Sequence, residues 1–575
     1  MRNTTTNART TPFAVYWGVA IACAFVLVPL PEPSGLTAYF FASQDRYGIA
    51  AAALVIGVAD LVACRTRWPS DMFARLGASQ VTLFAIAISV TAIAAAGTSL
   101  VFSSTPIAYD EVQAVFDAQV FLGGHLAAPV AEEWRSFLPA LGPMFFLQIP
   151  GNVAWISAYW PVHAAMRALA DLTVGASWCS PLLAFLALIS TNHVARRLWP
   201  ERPDTAFVSV VLVATSSQVL VTAMTPYAMT AHLAVNMLWL SLFLNDKRAT
   251  HIGALAIGAL GIGLHQVVFH LLFVAPFILL LLFQRRFALA SGYISGYGLI
   301  GLAWLFYPEV LIWWHNPGAE LANPFASLLL SRWGGSVASG VTGHAELVLL
   351  TLFNLARLVA WLNPVLVVLF VMGLPVAFRL RAVECAIAAG VILNLLAMSL
   401  ILPYQGHGWG YRYMHGQIGC MALVAAMAWM QITPGALRHR WTGLFAVATL
   451  LSLFVLFPLN AWHAQRWALP VTAALDLIRH SSADVVIIDS RDLPFGADLV
   501  RNRPDLSNKP LTMALEQLDI SALEKICATR SIAVFDRSAG ARLGMVGASD
   551  APRGGTSGTS PQRAFLNANC KAERL

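Results

Sequence analysis

Two adjacent carboxylates, Asp110 and Glu111, close an uncharged apolar stretch running from Leu76 to Tyr109. Charge at the edge of so long an apolar segment is costly to hold, and it is retained where it has work to do. A carboxylate beside a reacting hydroxyl takes its proton, and a neighbouring carboxylate orients it or holds a divalent cation. Asp110 is therefore the candidate general base. Glu111 is its partner or a metal ligand, and a divalent cation is the one cofactor this pattern leaves open. The structural alternative is a helix N-cap or an interfacial ion pair. Tyr109, just before the pair, and His125, in the following Gly123-Gly124-His125, are candidate substrate contacts.

The second cluster runs from Gln405 to Gly416: Gln-Gly-His-Gly-Trp-Gly-Tyr-Arg-Tyr-Met-His-Gly. Its glycines free the backbone for close approach to a ligand. Arg412, with His407 and His415, supplies donors for a phosphate. Trp409 and Tyr411 offer faces for a sugar ring. Arg357, near the end of an apolar stretch, meets the same phosphate or snorkels to a headgroup. His232 and His265 are single imidazoles in apolar surroundings, read as substrate contacts or as hydrogen-bonded packing residues.

These residues are positioned by a membrane-spanning chain. Of 575 residues 58% are hydrophobic and 11% charged, against about 25% charged in soluble domains. Thr205–Asn245 and Cys385–Tyr411 are also uncharged. The hydropathy pattern predicts about thirteen helices, near 13–30, 47–64, 79–102, 177–198, 206–223, 228–245, 251–266, 268–284, 288–306, 358–378, 383–403, 416–433 and 441–459. The net charge of +7 is spread as short basic pairs at helix ends, with no basic run for nucleic acid. With the N-terminus inside, sixteen Lys/Arg fall on the inner face and six on the outer face before residue 462, a positive-inside pattern.

The organisation follows: N-terminal spans over 1–102; a first large outer loop over 103–176, with Met144 to Pro161 read as an interfacial helix; a core over 177–462 with outer loops 307–357 and 404–415; and an outer unit over 463–575. In that unit Asp484–Asp489 and Ser531–Asp536 read as strands, Leu511–Cys527 as a helix, and 545–562 as disordered. No GxGxxG follows the first strand, so nucleotide binding has no support. Cys527 and Cys570 can pair if this unit faces an oxidising compartment. The fold class is thus an all-α polytopic membrane protein with a small C-terminal α/β domain.

Asp110-Glu111 in a large outer loop, Gly123-Gly124 and Pro129 downstream, many helices and a C-terminal outer domain together resemble the GT-C glycosyltransferases, the protein O-mannosyltransferase and lipid A aminoarabinose transferase group (bacterial family 39 type). In that family the acidic pair follows the first helix; here it follows the third. The resemblance implies a hexosyl- or pentosyltransferase of the bacterial inner membrane, with its N-terminus cytoplasmic and its C-terminal domain periplasmic. Its donor would be a polyprenyl-phosphate sugar, and its acceptor a lipid, glycan or protein of the envelope. A flippase and a polysaccharide ligase are the competing readings; the clustering of polar residues at one face, without an inverted repeat, favours transfer.

Overall fold

In lipid an apolar segment must satisfy its backbone internally, so the uncharged stretches become helices. The computed structural model describes residues 11–27, 35–147, 149–318, 344–491, 493, 495–545 and 560–575. Among these, six helices are long and apolar enough to cross a membrane: Leu36–Arg65, Gln80–Leu100, Ala176–Leu198, Phe287–His315, Ala382–Ile401 and Ala436–Arg479. Leu347–Trp361 and Pro364–Ala377 meet the same test together, bent by 118°. The chain is an integral membrane protein.

Against the thirteen spans expected, these six or seven pass on length and apolarity among the described residues; five further apolar helices, Trp17–Leu27, Pro203–Ala214, Met229–Leu244, Arg248–Ile262 and Val267–Phe283, are shorter. The expected 206–223 span is broken at Thr215-Ser216 into Pro203–Ala214 and Ser217–Thr222. A twelve-residue helix is about 18 Å long at 1.5 Å per residue, well short of a hydrocarbon core of about 30 Å. Both pieces are buried from Asp204 onward, so their apolarity serves the interior of the bundle rather than lipid. Hydropathy counts both kinds of burial alike.

The last helix departs from expectation in the other direction. It runs on to Arg479, past the expected end at 459 and past the expected domain boundary at 463. Its 44 residues make it about 66 Å long, roughly twice the hydrocarbon thickness. In the excess, Ala464, Ala468, Val471 and Leu475 share one core with Phe102 and Trp361 at the end of the bundle and with Val486 and Ile488 of the C-terminal unit.

Helices also invade the expected 307–357 loop. Phe287–His315 carries Trp313 and Trp314, and His344–Trp361 carries Arg357; Arg332 and Trp333 lie outside the described residues. The segment Met144–Pro161 is not a helix. It forms β2 (Phe146–Leu147) and β3 (Ala154–Ser157), with β1 (Ala128–Pro129) on the other side of β3, all antiparallel. Pro150-Gly151 breaks any helix there, and Trp155 is buried rather than interfacial.

The C-terminal unit is a parallel sheet of β4 (Val485–Ile488), β5 (Leu511–Ala514), β6 (Ile532–Phe535) and β7 (Ala572–Arg574), in the order β5-β4-β6-β7. Residues 511–514 are thus strand, and the helix expected from Leu511 starts at Ile520, where the Asp519 carboxylate accepts from the Ala522 N–H. A disulfide joins Cys527 to Cys570. The end of the chain is ordered as helix Pro561–Asn569 and β7; of the stretch expected to be disordered, 546–559 lies outside the described residues. The unit and the first loop share one core: Phe116, Leu138 and Trp155 pack with Val485, Met513 and Leu523. They act as one head on the bundle.

A buried ion pair ties this end of the bundle together. Asp45 and Arg357, both fully buried, approach to 3.4 Å. Trp361 donates to Asp45 (2.9 Å) and Arg357 donates to the Gly408 carbonyl (2.5 Å). Arg357→Met strands the Asp45 carboxyl and is expected to cost about 3–5 kcal/mol. Adding Asp45→Asn should recover most of that loss. Thermal unfolding of the two variants in detergent checks it; equal melting of the single and double variants would show the pair does not couple.

Candidate active site

The Gln80–Leu100 helix ends in a turn whose Ser103 and Ser104 adopt left-handed φ of 51° and 54°. The chain then enters helix Tyr109–Leu122, which carries Asp110 and Glu111 in its first turn. The two side chains part company. Glu111 reaches back and accepts the Ile107 N–H at 2.6 Å, fixing the chain just before the helix start. Asp110 points the other way, accepts from the Tyr159 hydroxyl and forms an ion pair with Arg412.

Arg412 is delivered by a coiled loop. Gly406, Gly408 and Gly410 all take positive φ (64°, 150° and 66°), and a Cβ at Gly410 would sit 2.3 Å from the Gln218 side chain. Such a path is closed to other residues. Gln405 accepts from the Arg412 N–H at 3.0 Å, and Arg412 donates to the Tyr413 hydroxyl at 3.2 Å.

Above the pair opens a cleft of about 340 Å³ lined by Tyr109, Asp110, Phe145, Tyr404, Gln405, His407, Arg412 and Tyr413, and by Phe495 and Asp498 of the C-terminal unit. The head fixes this wall: Arg501 donates to the carbonyls of Pro106 (2.7 Å) and Ile107 (3.2 Å), just before the acidic pair. Behind Asp110, a void of about 20 Å³ lined by Asp117, Tyr159, His163 and His265 is large enough for a water molecule.

The electrostatics separate the two acids. Burial alone would raise the Asp110 carboxyl; the Arg412 guanidinium and the Tyr159 hydroxyl outweigh it and hold the group below the usual carboxylate range. Glu111 has no such cation in contact, and burial pushes it up to about 8 against the Ile107 hydrogen bond and the more distant Arg501. His407 is pushed down to about 3 by burial and by the charges of Arg357 and Arg412, so it is neutral. Its Nδ1 shares a hydrogen bond with the Tyr227 hydroxyl at 2.9 Å. With Tyr227 donating, Nε2 carries the proton and is a donor.

The expected site residues therefore divide. Asp110, Arg412, Tyr109 and His407 meet in one cleft. Glu111 is turned away from it. Among the described residues no group of three His, Cys, Asp or Glu is placed to hold a metal ion, and Glu111 is committed to the Ile107 N–H. The site does not fit a divalent cation at Glu111. Arg357 is committed to Asp45 and the Gly408 carbonyl, and shapes the loop rather than facing the cleft. Trp409 packs against Phe102 and Trp361, and Tyr411 is fully buried beside Tyr413; neither lines the cleft. His415 is buried, and His232 borders a small void behind Arg412. His265 stacks on Tyr159 at 5.0 Å, one layer behind Asp110. His125 lines a separate groove with Arg503 and Asp505. In each case the side chain follows packing that sequence position does not reveal.

Sequence reasoning missed Asp498, Arg501 and the bond from Tyr159. Tyr159 lies in the Met144 to Pro161 stretch expected to be an interfacial helix. Asp498 and Arg501 lie almost four hundred positions from the acidic pair, and no local pattern marks them.

No family model matches the sequence, and no curated protein matches it. Among solved structures, the chain is similar to the oligosaccharyltransferase of Archaeoglobus fulgidus (13% identity, TM-score 0.43, 73% of this chain covered). The match takes in 62% of that protein's length. It is also similar to ArnT of Cupriavidus metallidurans (12% identity, TM-score 0.38, 78% of this chain and 94% of that one). Likeness at this level carries no functional argument; the side-chain geometry does.

The raised Glu111 carboxyl has a stability consequence. The folded state keeps a proton that the unfolded chain, ionising near its ordinary 4.5, gives up. The native state then binds more protons, and stability falls as pH rises from about 4.5 to about 8. Glu111→Gln, which mimics the protonated acid, should flatten that decline. Melting temperatures of wild type and variant between pH 5 and 8.5 check it; parallel profiles would contradict the assignment.

Proposed function

We propose that this protein transfers a sugar from a polyprenyl-phosphate donor to a hydroxyl of a cell-envelope acceptor, by one inverting displacement with Asp110 as general base. The observation that carries the reading is the Asp110–Arg412 pair on a cleft between a membrane bundle and a polar head. It sets a base and an anion site within one hydrogen bond of each other, where a lipid-borne phosphate meets a polar acceptor.

The pair also supplies a control. Held by Arg412, Asp110 is a weak base. A donor phosphate competes for the guanidinium; as Arg412 turns to it, Asp110 loses its cation and its basicity rises. The acceptor O–H then gives its proton to Asp110 while its oxygen bonds to the anomeric carbon. The bond from that carbon to the phosphate oxygen breaks, and the electron pair leaves on the phosphate. Arg412 and the Nε2–H of His407 stabilise that charge. Tyr159 keeps the carboxylate aimed. A single displacement inverts the anomeric centre.

The cleft lies on the face that the charge pattern puts outside, and the Cys527–Cys570 disulfide supports an oxidising compartment there. This favours the outer face of a bacterial inner membrane, with the N-terminus cytoplasmic.

The test is turnover by purified protein in lipid with a panel of polyprenyl-phosphate sugars. Wild type should consume one donor. Asp110→Asn should lose about 10²–10⁴-fold, and Arg412→Ala about 10²–10³-fold through the leaving group. Full activity in Asp110→Asn would overturn the general base. Movement of intact lipid-linked glycan without cleavage would favour a flippase, and transfer of a whole glycan only would favour a ligase.

A further inference from the structure

A second cavity, of about 660 Å³, lies in the C-terminal unit away from the cleft. It sits at the carboxyl ends of β4 and β6, where the chain leaves β4 toward β5 on one side and leaves β6 toward β7 on the other. That divergence opens a crevice, and ligands of open parallel sheets bind at such switch points. The volume falls within the usual range of ligand pockets, about 300–1,000 Å³, far beyond what a bridging water needs.

Its lining defines the guest. Asp489 and Asp536 follow the two strands directly, and Arg537, Ser538, Arg563 and Arg574 surround them. Asp489, 1% exposed, pairs with Arg563 and Arg491, and Asp536 pairs with Arg574 at 3.4 Å. Arg537 has no ion-pair partner among the described residues. Guanidinium groups outnumber carboxylates, so the crevice favours an anion. Asp489 is enclosed by its two arginines, whereas Asp536, its side chain 24% exposed, is open to a hydroxyl of the guest. Asp489-Ser490-Arg491 after β4 contains no glycine, so the pyrophosphate cradle of a dinucleotide is missing. A polar guest with several hydroxyls and one anionic group satisfies the whole set.

Asp489 lines the crevice, and Phe495 and Asp498, a few positions further along the sequence, line the cleft.

We propose that this crevice binds an anionic saccharide, a sugar carrying a phosphate or a carboxylate, and thereby holds the acceptor beside the cleft. The acceptor role rests on the transferase reading; the binding does not. The test uses the full chain in phosphatidylcholine nanodiscs and measures binding of digalacturonate and glucose 1-phosphate, with maltose and inorganic phosphate as controls. At least one anionic sugar should bind, more tightly than either control, and the preferred one separates carboxylate from phosphate. Arg537→Ala should weaken it about tenfold, as loss of one charge-assisted contact gives, and Arg537→Glu should weaken it further. Failure of both sugars to bind wild type, inorganic phosphate binding equally well, or full binding in both variants would each overturn the proposal. Binding as expected without turnover of any polyprenyl-phosphate sugar would leave this site standing and remove the transferase reading alone.

Discussion

The ion pair between Asp110 and Arg412 is the contact on which the rest of the head depends. Its side chains are 14% and 10% exposed. Removing two charges from water is expensive, and a buried pair of this kind adds little net stability against an apolar replacement. Its value lies in what it presents to the cleft. To make it, the fold must bring together two loops three hundred residues apart in sequence and keep both from relaxing into lipid or solvent.

Each loop is held by a device of its own. On the acidic side, Glu111 fixes the chain before its helix by accepting the Ile107 N–H, and Arg501 takes the carbonyls beside it. On the basic side, three left-handed glycines coil the backbone, and Arg357 fixes the Gly408 carbonyl from the interior. Arg357 is in turn neutralised by Asp45. The two buried ion pairs therefore have different tasks. One holds the loop, and the other borders the cleft.

The C-terminal unit belongs to this arrangement rather than hanging from it. The helix Ala436–Arg479 carries the core at the end of the bundle on into the unit, and the unit packs in one core with the first loop. Phe495 and Asp498 then close the cleft.

The sequence by itself determined the membrane character, because apolar runs without charge have no other stable setting. It also marked Asp110 and Arg412, because charge and glycine at the end of an apolar stretch are costly and conspicuous. Which apolar stretches face lipid was beyond it, since Asp204–Ala214 is as apolar as a lipid-facing helix yet packs inside the bundle. So was the division of labour between Asp110 and Glu111: adjacent positions on a helix point about 100° apart, and only the packed neighbours decide which side is the cleft. Trp409, Tyr411 and Arg357 read as ligand contacts by composition and became structure, because their surroundings come from distant segments. Asp498 and Arg501 gave no local signal at all. Their part in the site exists only once the C-terminal sheet is docked on the first loop.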